Sequence, residues 1–385
     1  QKTASDEQNV SSSNGLEPLP KLRFLEFKNT YKKTKLNEAV ERIQRRDPTS
    51  EAPVMMLSAA SGFIMQSEKY SRENAGQSLK KYILLRKGEL AYNHGASKYK
   101  PFGCCFELKE DEARIPYVYH CFAVKENNDK SYIARLLNNQ KIDQQLKRLI
   151  SSSVRMDGLL NISYEEYTGI DLYLPSLLEQ QKIADFLFLV DRRIEKQRQL
   201  VESLKKYKRG ALSRVFNDVL ETVKLSDISN FISSARTLST TLNGNKGIYP
   251  VYDAAGIAGY IDYYDIDSDY ITIVKDGSGV GRLQKCDKKS SFIGTLGALV
   301  AKNCTTDFLY AVLQTIDFSK FVTGMAIPHI YYRDYKSTLL PFPSEEKQHF
   351  ISQLLKKFDI YIENETQKLT NMLAYKQGLL QQMFI

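Results

Sequence analysis

Pro175-Ser176-Leu177-Leu178-Glu179-Gln180-Gln181-Lys182-Ile183-Ala184 opens a stretch of chain that occurs twice. Adding 168 to each number lands, with no gap, on Pro343-Ser344-Glu345-Glu346-Lys347-Gln348-His349-Phe350-Ile351-Ser352. The match continues through Leu187/Leu355, Asp191/Asp359, Ile194/Ile362, Glu195/Glu363, Gln199/Gln367, Tyr207/Tyr375, Lys208/Lys376, Gly210/Gly378, Leu212/Leu380 and Phe216/Phe384. Upstream, the same offset pairs Ile162, Tyr164 and Tyr167 with Ile330, Tyr332 and Tyr335. A repeat of this kind governs the architecture before any motif does.

Both copies read as helices. Pro-Ser followed by acids is a start signal, because proline has no amide to waste and acids complement the positive helix end. The apolar positions then step by four and three: Ile183, Leu187, Val190, Ile194, Val201, Leu204, Ala211 and Val215, with Gln197 and Lys208 interrupting. The second copy runs Ile351, Leu355, Phe358, Ile362, Leu369, Met372, Leu379 and Met383, with Glu365 and Lys376 interrupting at the equivalent places. A mean spacing near 3.5 residues is a coiled-coil seam, and a polar residue within one fixes register and partner. These apolar residues are the predicted contacts between the helices and with a docking partner.

The intervening stretches are rich in Tyr, Phe, Ile and Val, punctuated by Gly, Pro, Asn and Asp, which predicts strands and loops. Tyr82–Leu85, Tyr117–Tyr119 and Tyr270–Val274 are candidate buried strands, and Ser131–Leu137 and Asp307–Leu313 are candidate short helices at corresponding places. The expected organisation is a lead-in over 1–19, a domain over 20–174, a helix over 175–216, a second domain over 217–342 and a second helix over 343–385. With domain termini close together, the helices run antiparallel with a domain at each end and approximate twofold symmetry. The seam from Ile183 to Val215 spans roughly 48 Å at about 1.5 Å per residue. That exceeds the ~34–36 Å turn of B-DNA and suits a ruler placing two different reading heads on one duplex.

The 385 residues carry 54 Lys and Arg against 45 Asp and Glu, a net charge of +9. Hydrophobic content of 42% and charged content of 26% are those of a globular protein and exclude collagen or wholesale disorder. No apolar run reaches the ~18 residues of a membrane span, and Gln1–Gly15 lacks a signal-peptide layout. Five cysteines, Cys104, Cys105, Cys121, Cys286 and Cys304, with no CxxC spacing, predict buried thiols, no metal and a reducing cytoplasm. Positive charge concentrates in 20–174 and in the first helix, which suits a polyanion. In the second domain acids gather at Asp262, Asp265, Asp267 and Asp269 and bases at Lys275, Arg282, Lys285, Lys288 and Lys289, so its surface is expected to be polarised.

The chain resembles the specificity subunit of type I restriction-modification systems over essentially residues 20–385. The likeness rests on Pro-Ser-x-x-Glu-Gln-Gln-Lys-Ile-Ala at Pro175, Leu-Lys-Lys-Tyr-Lys-Arg-Gly at Leu204, the degenerate copy at Pro343 and the opening Leu19-Pro20-Lys21-Leu22-Arg23-Phe24. The second copy departs from the pattern at Lys347, His349 and Phe350. The resemblance implies an α+β fold: two mixed α/β target-recognition domains separated by two long antiparallel coiled-coil helices, with a pseudo-twofold internal repeat. It implies recognition of a bipartite, asymmetric site in double-stranded DNA and docking of two methyltransferase subunits, with restriction subunits joining the larger complex. S-adenosylmethionine, ATP and Mg²⁺ are then expected on partners and no cofactor on this chain.

No catalytic motif of its own is expected. There is no Pro-Pro for an adenine methyltransferase loop and no GxxxxGK[ST] phosphate cradle, and the four histidines show no nucleophile–base arrangement. Gly277–Arg282 reads as a hairpin loop. Base readout needs paired hydrogen-bonding side chains on loops. The candidates are Tyr92, Asn93, His94, Ser97, Lys98 and Lys100 in the first domain and Lys275, Ser278, Arg282 and Lys285 in the second. The rival readings are a self-contained endonuclease or nickase and a coiled-coil scaffold with no DNA role.

Overall fold

The computed structural model describes residues 19–69, 76–95, 100–149, 160–233, 242, 247–324 and 326–385. It comprises two units, Gln1–Lys196 with Leu369–Ile385 and Gln197–Lys368. Each unit contains part of both repeated helices.

The first unit begins with β1 (Lys32–Lys35), α1 (Leu36–Ala39) and β2 (Val40–Arg42), then β3 (Met55–Ser58), β4 (Gly62–Met65) and α2 (Gln66–Lys69). Next come β5 (Ile83–Arg86), β6 (Leu90–Asn93), β7 (Cys104–Glu107), β8 (Glu112–Ile115) and β9 (His120–Val124). The helices α3 (Lys130–Leu136), α4 (Gln140–Leu149) and α5 (Tyr164–Thr168) precede β10 (Asp171–Leu174) and the 41-residue α6 (Leu177–Asn217). A four-stranded antiparallel sheet has the order β2-β9-β6-β7, and β1 pairs with β10, β3 with β4 and β5 with β8. Leu90, Phe122, Tyr132, Ile133 and Tyr167 fill the core together with Ile183, Leu187, Leu379 and Met383 of the long helices and Phe384 just beyond α10.

The second unit contains β11 (Thr222–Lys224), α7 (Leu225–Ile228), β12 (Ser229–Ile232), β13 (Tyr249–Asp253), β14 (Gly256–Ile261), β15 (Tyr270–Val274) and β16 (Leu283–Cys286). It continues with β17 (Ser291–Phe292), β18 (Leu296–Ala301), α8 (Thr306–Leu313), α9 (Tyr332–Tyr335), β19 (Leu339–Pro341) and the 39-residue α10 (Glu345–Met383). Its four-stranded antiparallel sheet, β12-β18-β15-β16, repeats the plan of β2-β9-β6-β7. The β11–β19 pair likewise repeats β1–β10. The repeat therefore extends beyond the helices into regions whose sequences have diverged.

The packing of aromatic residues shows the same repetition. Phe384 meets Tyr132 of α3 at 5.1 Å, and its repeat equivalent Phe216 meets Phe308 of α8 at 6.3 Å. At the helix starts, Gln180 and Gln348 are both buried, and each donates its side-chain amide to the carbonyl of the proline five residues before it, at 3.0 and 2.9 Å.

The heptad positions form one face on each helix. Ile183, Leu187, Ile194 and Val201 on α6 and Ile351, Leu355, Leu379 and Met383 on α10 are buried, while Val190, Leu204, Phe358, Ile362, Leu369 and Met372 are half-buried. Within the second unit, Gln197 meets Glu365, Lys208 meets Asp359 and Tyr207 meets Phe358. Numbers rising along α6 meet falling numbers along α10, so the helices are antiparallel. The polar interruptions are satisfied, Gln197 and Glu365 by each other and Lys208 by Asp359, as a buried polar group must be.

Two of the expected strands are present as β5 and β15, and Tyr270–Val274 is buried throughout. Tyr117–Tyr119 is a turn instead. The Tyr119 amide bonds back to the Pro116 carbonyl at 3.1 Å, and Tyr117 is exposed, because the proline begins a tight reversal that an extended strand would have to cross. The two predicted short helices are α3 and α8, each started by a side chain accepting from the first turn: Asp129 from the Tyr132 amide and Thr305 from the Phe308 amide.

Candidate nucleic-acid interface

The two stretches singled out for base readout occupy the same topological position. Residues 94–103 connect β6 to β7, and residues 275–282 connect β15 to β16, the corresponding outer hairpin of each four-stranded sheet. Both loops re-enter the outer strand through a glycine at φ +83°, Gly103 and Gly281. At either, a Cβ would fall within 3 Å of a neighbour, the Asn93 carbonyl or the Phe318 side chain, so only glycine fits without a shift.

Each loop is fastened at its base to the segment leading into the short tyrosine helix. The Leu160 amide bonds the His94 carbonyl at 2.9 Å, and the Ile330 amide bonds the Lys275 carbonyl at 3.0 Å. Gly277 adds a bond to the Pro328 carbonyl at 2.9 Å. This brings His329, Tyr331 and Arg333 beside the second loop, with the Arg333 guanidinium 4.7 Å from the Tyr331 ring. In the sequence Tyr332 and Tyr335 stand out only as repeat equivalents of Tyr164 and Tyr167, and nothing there signals this neighbourhood.

The candidates divide by burial. Tyr92 is buried, stacks on Tyr167 at 3.8 Å and donates its hydroxyl to the Phe102 carbonyl at 2.6 Å. His94 is 5% exposed, each ring nitrogen 2.8 Å from a backbone carbonyl, Leu160 or Val118. Neither side chain is at the surface, where base readout takes place. Asn93 is half-buried, donates to the Leu57 carbonyl and accepts from the Gly95 amide. Lys100 donates to the Asn138 carbonyl at 2.9 Å. Ser97 and Lys98 lie outside the described residues.

In the second unit, Lys275 donates to the Ser233 carbonyl and Lys285 pairs with Asp307. Ser278 and Arg282 are exposed on the loop. One guanidinium nitrogen of Arg282 bonds the Ala254 carbonyl at 3.1 Å.

The thiols are packing groups: burial pushes Cys104, Cys286 and Cys304 up to about 11, opposite to the direction a nucleophilic cysteine needs. Among the described residues, no group of three His, Cys, Asp or Glu side chains is placed to hold a metal ion. No described helix is long and apolar enough to cross a membrane.

Residues 217–373 match the family model described as the type I restriction modification DNA specificity domain. Over those residues the chain is similar to a type I DNA specificity domain. Beyond that match, it resembles the specificity subunits of type I systems. It is 29% identical over 151 residues to a protein of Mycoplasma pneumoniae named as a type I specificity subunit, covering 37% of this chain and 49% of that one. It is 27% identical over 115 residues to the specificity subunit of the type I restriction enzyme EcoprrI of Escherichia coli, covering 29% of this chain and 28% of that one. The matches thus span about half or less of these curated relatives.

The fold is that of the S subunit of a type I system from M. genitalium, with a TM-score of 0.58 at 15% identity, covering 95% of this chain and 99% of the other. A second structure, from work on complex assembly and conformational transition of the type I system, matches with a TM-score of 0.55 at 15% identity, over 91% and 96% of the two chains. The matched specificity domain takes in the β15–β16 loop, all of α9 and most of α10. The α+β class with a repeated pair of long antiparallel helices read in the sequence is the fold observed.

Proposed function

We propose that this chain is the DNA sequence-specificity subunit of a type I restriction-modification complex, recognising a two-part asymmetric site and holding partner methyltransferase subunits on its helix pair. One observation carries the reading: the same outer hairpin of strands, fastened at its base in the same way, recurs in two units that share a fold while differing in the sequence that joins the strands. Two copies of one scaffold with different loops read two different half-sites, because loop side chains specify bases while the scaffold sets register. The basic charge of residues 20–174 and of the first helix supplies the phosphate attraction.

The chain acts without chemistry of its own. Methyl transfer to an adenine taken out of the stack, using S-adenosylmethionine, belongs to the methyltransferase partners, and ATP- and Mg²⁺-dependent work belongs to restriction subunits. The assembled type I complex among the structural relatives supports such partners, and the protein acts in the cytoplasm.

Selection of bound sequences from a randomised duplex pool by the full chain tests the reading. Enrichment of two short conserved blocks separated by an unconserved spacer is expected. Mg²⁺-dependent cutting of plasmid by the purified chain would favour an endonuclease instead, and duplex binding that is absent or indifferent to salt would favour a scaffold.

A further inference from the structure

A second element borders the reading loop in both units, and the numbering hides its equivalence. The β3–β4 hairpin turns through Ala59-Ala60-Ser61 after Ser58, and the β13–β14 hairpin turns through Ala254-Ala255 after Asp253. In each, the side chain before the turn accepts from the amide two residues on: Ser58 Oγ from Ala60 at 3.4 Å and Asp253 Oδ1 from Ala255 at 2.7 Å. Ala59 and Ala254 are half-buried, whereas Ala60 and Ala255 are exposed.

Each hairpin is tied beside the reading loop of its own unit. Asn93, the last residue of β6, donates to the Leu57 carbonyl of β3 at 3.2 Å, and Arg282, at the end of the second loop, donates to the carbonyl of the turn residue Ala254 at 3.1 Å. The Arg282 guanidinium also lies over Gly279, where an added Cβ would sit 3.4 Å from it.

We infer that these Ala-Ala turns are the second wall of the DNA interface in each unit, a surface over which the sugar-phosphate backbone of a duplex passes while the adjacent loop reads bases. The inference rests on the DNA-recognition reading above and adds to it residues that reading did not include. Two features favour nucleic acid as the occupant. An exposed alanine stands second in the turn of both otherwise divergent units, Ala60 and Ala255, and presents only a methyl group there, which lets a rigid polyanion approach closely. In the second unit, the turn's own carbonyl holds a cationic guanidinium at that edge. Contacts to the backbone fix register without reading sequence, so the turn keeps its small residues while the loop varies.

The test is duplex selection by the full chain carrying Ala60→Glu or Ala255→Glu, with Ala60→Ser and Ala255→Ser as conservative counterparts. A carboxylate against phosphate is expected to abolish enrichment of one block with Ala60→Glu and of the other with Ala255→Glu. On a duplex carrying the enriched site, affinity is expected to fall at least about tenfold, the scale of a mismatched base pair, while the serine variants bind as wild type. The block that survives in each glutamate variant shows that the chain is folded. Glutamate variants that enrich both blocks as wild type does, or that weaken both equally, overturn the inference and leave the DNA reading standing. A wild-type chain that enriches no sequence overturns both.

Discussion

The side-chain amide of Gln197 donates to a carboxylate oxygen of Glu365 at 2.7 Å and to the Glu365 carbonyl at 3.0 Å, and the two residues are 168 positions apart, each the repeat equivalent of the other. A residue that meets its own equivalent lies on the local twofold axis of an antiparallel pair. The same exchange relates Lys376, 2.6 Å from Asp191, to Lys208, 2.5 Å from Asp359. The central polar breaks, Gln197 and Glu365, are therefore addressed to each other, and the lysine breaks to equivalent aspartates. A shift of one helix by a heptad would set Gln197 against Phe358 and Glu365 against Val190, or Gln197 against Met372 and Glu365 against Leu204, and strand both.

Replacing Gln197 and Glu365 together by leucine removes that register check while filling the seam with apolar surface. The melting temperature is expected to hold or rise, as when buried polar groups give way to packed hydrophobes. Larger species are expected by light scattering, because an all-apolar seam accepts other registers and partners. A double variant that stays monodisperse and melts well below wild type would contradict this.

Glu179 stands at the start of α6, 1% exposed, held by two bonds from Arg23 at 2.7 and 2.8 Å and one from the Tyr31 hydroxyl at 3.0 Å. Glu179→Ala leaves the Arg23 charge without its partner in a mostly buried place and is expected to cost about 3–5 kcal/mol in denaturant unfolding. Lys347, the repeat equivalent, is half-buried and carries the opposite charge. Lys347→Ala is expected to cost less than about 1 kcal/mol, the range of ordinary surface substitutions.

Burial holds His120 down to about 4 from its ordinary 6.5, with Nε2 donating to the Ile162 carbonyl at 3.1 Å. Its folded value lies below its unfolded one, so the unfolded chain takes up the proton first. The neutral imidazole's contribution is complete above pH 6.5 and is lost as pH falls toward about 4. Melting temperature measured across that window is expected to fall less steeply in His120→Gln than in wild type. Parallel curves would show that another group sets the slope.

Arg282 is exposed at the end of the β15–β16 loop, with one edge of its guanidinium on the Ala254 carbonyl. Arg282→Ala is expected to weaken binding by about 1–3 kcal/mol and to relax sequence preference at one position of one half-site. An equal loss on every sequence would mark a phosphate contact.

The helices were legible because a 3.5-residue spacing leaves a mark in sequence wherever it occurs, and the unbroken offset doubled that mark. The loops were legible as hairpins from their glycines. The residues within them were harder to place. Tyr92, Asn93 and His94 look like surface recognition chemistry, yet β6 lies inside a four-stranded sheet with α5 against one face, and Tyr92 and His94 belong to that core. Aromatic and basic side chains occur both in wet interfaces and in satisfied cores, and only burial distinguishes the two. The paired Ala-Ala turns escaped notice for another reason. The divergent regions have gained and lost residues, so no single offset aligns Ala60 with Ala255, and only the hairpin pairing reveals that they correspond.

Single-molecule sequencing of modified bases in a host expressing this chain with its methyltransferase partner tests the central claim most directly. The account predicts methylated adenines confined to one asymmetric sequence in two short parts with a fixed gap between them. Methylation at a single unbroken motif, or none that depends on this chain, would contradict it.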